Sequence, residues 1–198
     1  MYIDSTLKRY LDDMSARLPA PGGGSAAALT AALGASLVSM VLNFTIGKEE
    51  FRVFEIELRE NLEKIKRLKD KLASLVDEDV EVYKKVSATF SSKDGTVIEK
   101  SLKDAVAVPI ETCNCCYQGM VVCKAVMDKT NKNLISDIGV AAELLLSAYN
   151  SAIFNIDINL KGIIDREFSS NIKKVIKPQT KEIQKLKKEI TGFVNKEL

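Results

Sequence analysis

The 198-residue sequence contains no histidine. That removes the commonest acid–base side chain near neutral pH, the base of a serine–histidine nucleophile pair, and the commonest metal ligand. Any catalysis falls to carboxylates, lysine, tyrosine, thiols or backbone dipoles. Sustained strand-like alternation of apolar and polar residues is also missing, so the expected fold is all-α. Twenty-nine Lys and Arg stand against 27 Asp and Glu, a net charge of +2. With that balance and no compact basic patch interleaved with aromatics, nucleic acid is not an expected partner. Cysteine is scarce: Cys113, Cys115, Cys116 and Cys123. Cys113 and Cys116 have C-x-x-C spacing, yet a zinc site takes four ligands and no histidine exists to complete one. No metal is expected; the cysteines read as small core residues and as the reduced thiols of a cytoplasmic protein. Met1-Tyr2-Ile3-Asp4 lacks the basic-then-apolar start of a secretory signal, which gives the same expectation.

What is present begins with a block of small residues. Pro19-Ala20-Pro21-Gly22-Gly23-Gly24-Ser25 leads into Ala26, Ala27, Ala28, Ala31, Ala32, Gly34, Ala35, Ser36 and Ser39. Glycines relax the backbone, prolines stiffen the approach, and Ser25 is a good cap for a following helix. Such a loop can aim unpaired amides at an anion or an acyl oxygen, or simply join two helices tightly. The helix over residues 25–45 exposes so little side chain that other backbones can approach it closely, which places it at the centre of the fold. Its length raises a membrane span. Its many alanines and serines make it weakly hydrophobic and no basic flank marks a cytoplasmic side, so a buried bundle helix is expected and no membrane partner. Hydrophobic residues at 46% and charged residues at 28% suit a single globular domain over residues 1–198 with a substantial core.

The remaining segments also read as helices. Residues 3–17 are amphipathic, with Ile3, Leu7, Tyr10, Leu11 and Met14 on one stripe. Residues 49–90 lack proline and glycine and form one long helix with a seven-residue seam: Phe51, Leu58, Ile65, Leu72, Asp79, Val86, beside Phe54, Asn61, Leu68, Leu75, Val82. Asp79 breaks that apolar row. A carboxylate there must be paired, hydrogen-bonded, protonated or open to a cleft, unless the helix turns it to solvent. Tyr83, one turn on, is a candidate partner. After a turn at residues 91–95, a helix over residues 96–108 should bend or restart at Pro109 and continue to residue 129. Ser136 and Asp137 read as the cap of a helix reaching residue 166. That helix carries Glu143, Ser147, Ser151, Asn155 and Asn159 at four-residue intervals, suited either to the edge of a polar heterocycle or to a network between helices. A final helix after Pro178, with Ile183, Leu186, Ile190 and Val194 on one face, reads as a solvated helix or an oligomer arm.

Leu18-Pro19-Ala20-Pro21-Gly22-Gly23-Gly24-Ser25-Ala26-Ala27-Ala28, then Asp79 with Tyr83, then Val108-Pro109, Ser136-Asp137-Ile138-Gly139-Val140-Ala141-Ala142 and Asn155-Ile156-Asp157-Ile158-Asn159-Leu160 occur in this order. Together they resemble the formiminotetrahydrofolate cyclodeaminase and methenyltetrahydrofolate cyclohydrolase family, up to about residue 165. Phe is more usual there than Tyr83, and the cysteine cluster is no part of the pattern. The resemblance implies an all-helical homodimer with a folate site between helices near the subunit contact. Its substrate would be a tetrahydrofolate derivative, with no metal and no nicotinamide. Asp79 is the expected proton-transfer group and Asp137 the second choice. Pro21, Gly22, Gly23, Gly24, Ser25, Tyr83, Ser136, Asn155 and Asn159 are expected to bind substrate. Cyclohydrolase activity is expected, with cyclodeaminase activity, or a non-catalytic folate-binding scaffold, as the alternatives.

Overall fold

The computed structural model describes residues 1–92 and 94–198; Lys93, in the turn expected at residues 91–95, lies outside them. Among the described residues there are seven α-helices, two short 3₁₀ segments and no strand: α1 Leu7–Ser15, α2 Gly23–Asn43, α3 Glu55–Thr89, α4 Gly95–Ala105, α5 Ala107–Val126, α6 Ile135–Lys161 and α7 Arg166–Glu197. The expected all-α bundle is observed. The small-residue helix α2 lies at its centre, packed along α3 and α6, while α5 packs on α3 and α6 and α7 closes over α5 and α6. Ala28, Ala31, Ala35 and Val38 of α2 are fully buried. A Cβ on Gly34 would lie 3.0 Å from Leu145 Cγ, and one on Gly119 would lie 3.2 Å from Leu145 Cδ1. The missing side chains on α2 and α5 are therefore the space that Leu145 of α6 fills. That close packing is the physical role of the small-residue block.

Several helix boundaries differ from the sequence reading. Helix α1 is shorter, capped by Thr6, whose hydroxyl accepts the Arg9 N–H at 3.1 Å. Of its stripe only Tyr10 is buried; Leu7 and Leu11 are exposed because this short helix touches the bundle along one narrow line. Helix α2 starts two residues early with Gly22 as its cap, so Ser25 lies inside the first turn and does not cap the helix. The helix expected over residues 49–90 is split into a 3₁₀ segment, Glu49–Phe54, and α3. Glu55 begins α3 by accepting the Gly47 N–H at 3.1 Å, and Gly47 takes φ +85°, a turn conformation glycine adopts freely. The seam of α3 is as expected at Leu58, Ile65, Leu72, Leu75 and Val86, all buried.

The break between α4 and α5 falls at Val106, so Pro109 sits in the first turn of α5, where its missing N–H would have no intrahelical partner. Ser136 and Asp137 lie in the first turn of α6 and neither caps it; Leu134 occupies the cap position. Helix α6 ends at Lys161, and α7 begins well before Pro178, capped by Asp165, which accepts the Phe168 N–H at 2.9 Å. Pro178 is exposed inside α7. Beside it the buried Tyr149 hydroxyl donates to Gln179 Oε1 at 3.2 Å and shares a hydrogen bond with Thr180 Oγ1 at 3.1 Å. These contacts hold the helix through the proline. Ile183, Ile190 and Val194 are buried against the chain's own bundle, so α7 is a packed layer and not an arm extending from it. The four cysteines are unpaired and buried, and burial pushes the thiols of Cys113, Cys115 and Cys123 up to about 12.

Candidate active site

The start of α2, the C-terminal third of α3, the end of α4 and the end of α6 enclose a cavity of about 320 Å³. One end is polar, built from Gly22, Gly23, Gly24, Asp79, Asn155 and Asn159; the other is walled by Val86, Phe90, Leu102 and Ile158. The polar end is organised by Asp79. Its Oδ2 accepts the Ser25 N–H at 2.8 Å, one of the first-turn amides that helix geometry leaves without an internal acceptor. The carboxyl lies so close to Gly24 that a Cβ there would be 2.0 Å from Oδ1. Gly24 is thus required by contact with Asp79, not by backbone conformation. Burial pushes the Asp79 carboxyl above its ordinary value, opposed by the Ser25 amide, which favours the charged form. Asp79 is half-buried and open to the cavity.

Asn155 approaches the loop from α6: its amide atoms lie 3.8 and 3.9 Å from the position of a Cβ on Gly23. Its Nδ2 donates to Ser151 O at 3.0 Å, with the amide orientation that this bond assigns, which leaves Oδ1 towards the loop. Asn159 lines the cavity one turn later. Among the described residues the four-residue stripe therefore forms no network between helices: Ser151 and Asn155 bond to their own helix backbone, and of the stripe only Glu143 reaches across, to Lys187 at 2.6 Å.

The remaining sequence-derived candidates divide. Gly22, Gly23, Gly24, Tyr83, Asn155 and Asn159 share the cavity with Asp79. Tyr83 lines it but is not the partner of Asp79, which takes its hydrogen bond from Ser25 instead. Pro21 is buried behind the loop, following a cis Ala20–Pro21 bond. The Ser25 side chain faces away from the cavity, and its amide is taken by Asp79, so it is not free for a ligand. Ser136 and Asp137 stand at the opposite end of α6, about 27 Å from Asn155 at 1.5 Å per residue, and do not line the cavity. Phe90, Leu102 and Ala105 carry no mark in the sequence, and Val86 reads there only as part of the seam, because an apolar wall has the same pattern as an apolar core. Among the described residues no group of three or more Cys, Asp or Glu is placed to hold a metal ion.

Comparison with known proteins adds to this geometry. The chain is 36% identical over 175 residues to the methenyltetrahydrofolate cyclohydrolase of Methylorubrum extorquens, covering 84% of each. It is 31% identical to the formimidoyltransferase-cyclodeaminase of Rattus norvegicus, covering 84% of this chain but 32% of that longer protein. The crystal structure of formiminotetrahydrofolate cyclodeaminase from Thermotoga maritima superposes with a TM-score of 0.94 at 28% identity, over 98% of both chains. The family described as formiminotransferase-cyclodeaminase matches residues 6–178. That span holds the glycine loop, Asp79 and both cavity asparagines, and on this match the chain belongs to the formiminotransferase-cyclodeaminase family.

Proposed function

We propose that this chain is a folate one-carbon enzyme that hydrolyses 5,10-methenyltetrahydrofolate to 10-formyltetrahydrofolate. The observation that carries the reading is the Asp79 carboxyl, raised above its ordinary value and held against the first turn of α2, opposite Asn155. Water attacks the methenyl carbon and forms a C–O bond, and Asp79 takes one of its protons. The resulting tetrahedral carbon collapses as Asp79 returns that proton to N5, the C–N5 bond breaks, and the hydroxyl proton leaves to solvent as the formyl C=O forms. A carboxyl with a raised proton affinity is suited to both halves of this shuttle near neutral pH. The Gly23 and Gly24 amides lack intrahelical acceptors and offer donors to the oxygen developing on the tetrahedral carbon. Asn155 and Asn159 serve the polar pterin edge, and the apolar end of the cavity serves the aryl ring.

The likeness to the Thermotoga maritima cyclodeaminase favours a second reaction at the same residues. There N10 attacks the carbon of the protonated formimino group of 5-formiminotetrahydrofolate (N5–CH=NH2+), Asp79 moves the N10 proton to the resulting amino group, and ammonia leaves as the C–N bond breaks to give the methenyl cation. The relation to the 36% identical cyclohydrolase, over 84% of each chain, supports hydrolysis as the first reading. Purified protein supplied with both substrates in parallel separates them. Loss of methenyl absorbance in the near ultraviolet without ammonia release is expected; ammonia released from the formimino substrate with no hydrolysis of the methenyl one would reverse the order.

The reading includes a homodimer in a reducing, cytoplasmic setting. Leu33 on α2, Phe44 at its C-cap, and Val140, Phe154 and Ile158 on α6 are exposed on helices that pack side by side, and Ile158 also walls the cavity. A second copy on that face would cover apolar surface and border the site.

A further inference from the structure

The residues that hold Asp79 form a chain of contacts leading back to α1. Tyr10 places its hydroxyl 3.0 Å from Ser25 Oγ, and both side chains are buried. Elsewhere on α2 the hydroxyls of Thr30, Ser36 and Ser39 turn back to carbonyls four residues earlier, whereas Ser25 spends its hydroxyl on another helix. The Ser25 N–H donates to Asp79. The N-terminal segment is itself clamped to α3, because Asp77 accepts the N–H groups of Tyr2 and Ile3. The Tyr2 hydroxyl donates to Asp13 at 3.0 Å, and the Tyr2 ring meets the Tyr10 ring edge-on with centroids 5.4 Å apart. Two carboxylates of α3 thus grip two different segments, Asp77 the N-terminus and Asp79 the start of α2, and the Tyr10–Ser25 bond closes the circuit.

We propose that Tyr10 is a positioning residue for the reaction: bonded to Ser25, it fixes the first turn of α2 and, through the Ser25 amide, the orientation of the Asp79 carboxyl in the cavity. The catalytic consequence rests on the function proposed above; the geometric one does not. Tyr10 faces Tyr2 on the N-terminal segment, Ser25 on α2, and Asp77 and Asp79 on α3. Asp79 faces Ser25 on α2 and the neutral Asn155 and Asn159 on α6, with Tyr83 on its own helix. The other charged groups in this circuit are Asp77, held by the backbone N–H groups of Tyr2 and Ile3, and Asp13, held by the Tyr2 hydroxyl and paired with Arg9; no variant used below replaces any of these partners.

Tyr10→Phe and Ser25→Ala each remove one hydroxyl while keeping the ring or the amide. The Asp79 carboxyl is titrated in the full-length, substrate-free chain by ¹³C NMR, its resonance assigned by its loss in Asp79→Asn. A slackened Ser25 amide favours the carboxylate less, so the Asp79 midpoint is expected to rise by about half a pH unit in each variant. The double variant is expected to show no further rise, because both changes break one bond. The acid limb of kcat/KM is expected to move upward by the same amount. An unmoved midpoint in both variants, with only the melting temperature lowered, makes the pair purely structural and overturns the proposal. If Tyr10→Phe does not fold, Ser25→Ala decides alone. A shifted midpoint without a shifted kcat/KM limb removes Asp79, and Tyr10 with it, from the reaction. Lost turnover in Asp79→Asn with unmoved midpoints removes Tyr10 only.

Discussion

Gly24 and Asp79 are fitted to each other across two helices. The Cβ of any other residue at position 24 would stand 2.0 Å from Asp79 Oδ1, so Gly24→Ala must push the carboxyl off its site. Displacements of this kind at a reacting group are costly, and turnover is expected to fall at least about tenfold while circular dichroism stays helical. Asp79 also leaves a mark on stability. Its folded proton affinity is raised by burial, so the folded state holds that proton more tightly than the unfolded chain does. Stability from this group is present at low pH and is lost as pH rises through the raised value. Asp79→Asn is therefore expected to melt higher than the parent at neutral pH, with the gap closing in acid; a lower melting temperature at pH 7 would contradict the sign. Asp79 was legible in the sequence as one charge in an apolar seam, and the asparagines as a polar stripe on an apolar helix. Tyr10 was not, because its meaning lies in a contact with Ser25 that no periodicity reports. Ser25 was misread as a cap because Gly22, with no side chain, takes that position.

Among the elements, α7 is the clearest case of a helix set by packing over local preference. Local rules place its start after Pro178, yet it begins at Arg166, with Tyr149 of α6 bonded on either side of the missing N–H. Existence and type of the helices followed from periodicity; their ends depended on caps such as Asp165 and on contacts distant in sequence. Gly192 sits exposed inside α7 with open space where a Cβ would go. Gly192→Ala is expected to stabilise the chain by about 0.5–1 kcal/mol, read as a higher denaturation midpoint at unchanged slope. Unchanged or lowered stability would mean that this stretch is not held as a helix.

At the scale of the whole molecule, Leu33 on α2, Phe44 at its C-cap, and Phe154 and Ile158 on α6 leave large apolar side chains uncovered. The homodimer proposed above is tested by Phe154→Glu. Light scattering is expected to report a dimer for the parent and a monomer for the variant, with turnover reduced at least about tenfold because the neighbouring Asn155 borders the site. A variant that stays dimeric would place the contact elsewhere. The central claim is that the whole bundle serves to hold one carboxyl, Asp79, in a cavity between a glycine loop and two asparagines. Turnover of Asp79→Asn on 5,10-methenyltetrahydrofolate, measured on protein shown to be folded, tests it most directly. A loss of at least about a hundredfold is predicted; near-parental turnover would contradict the account.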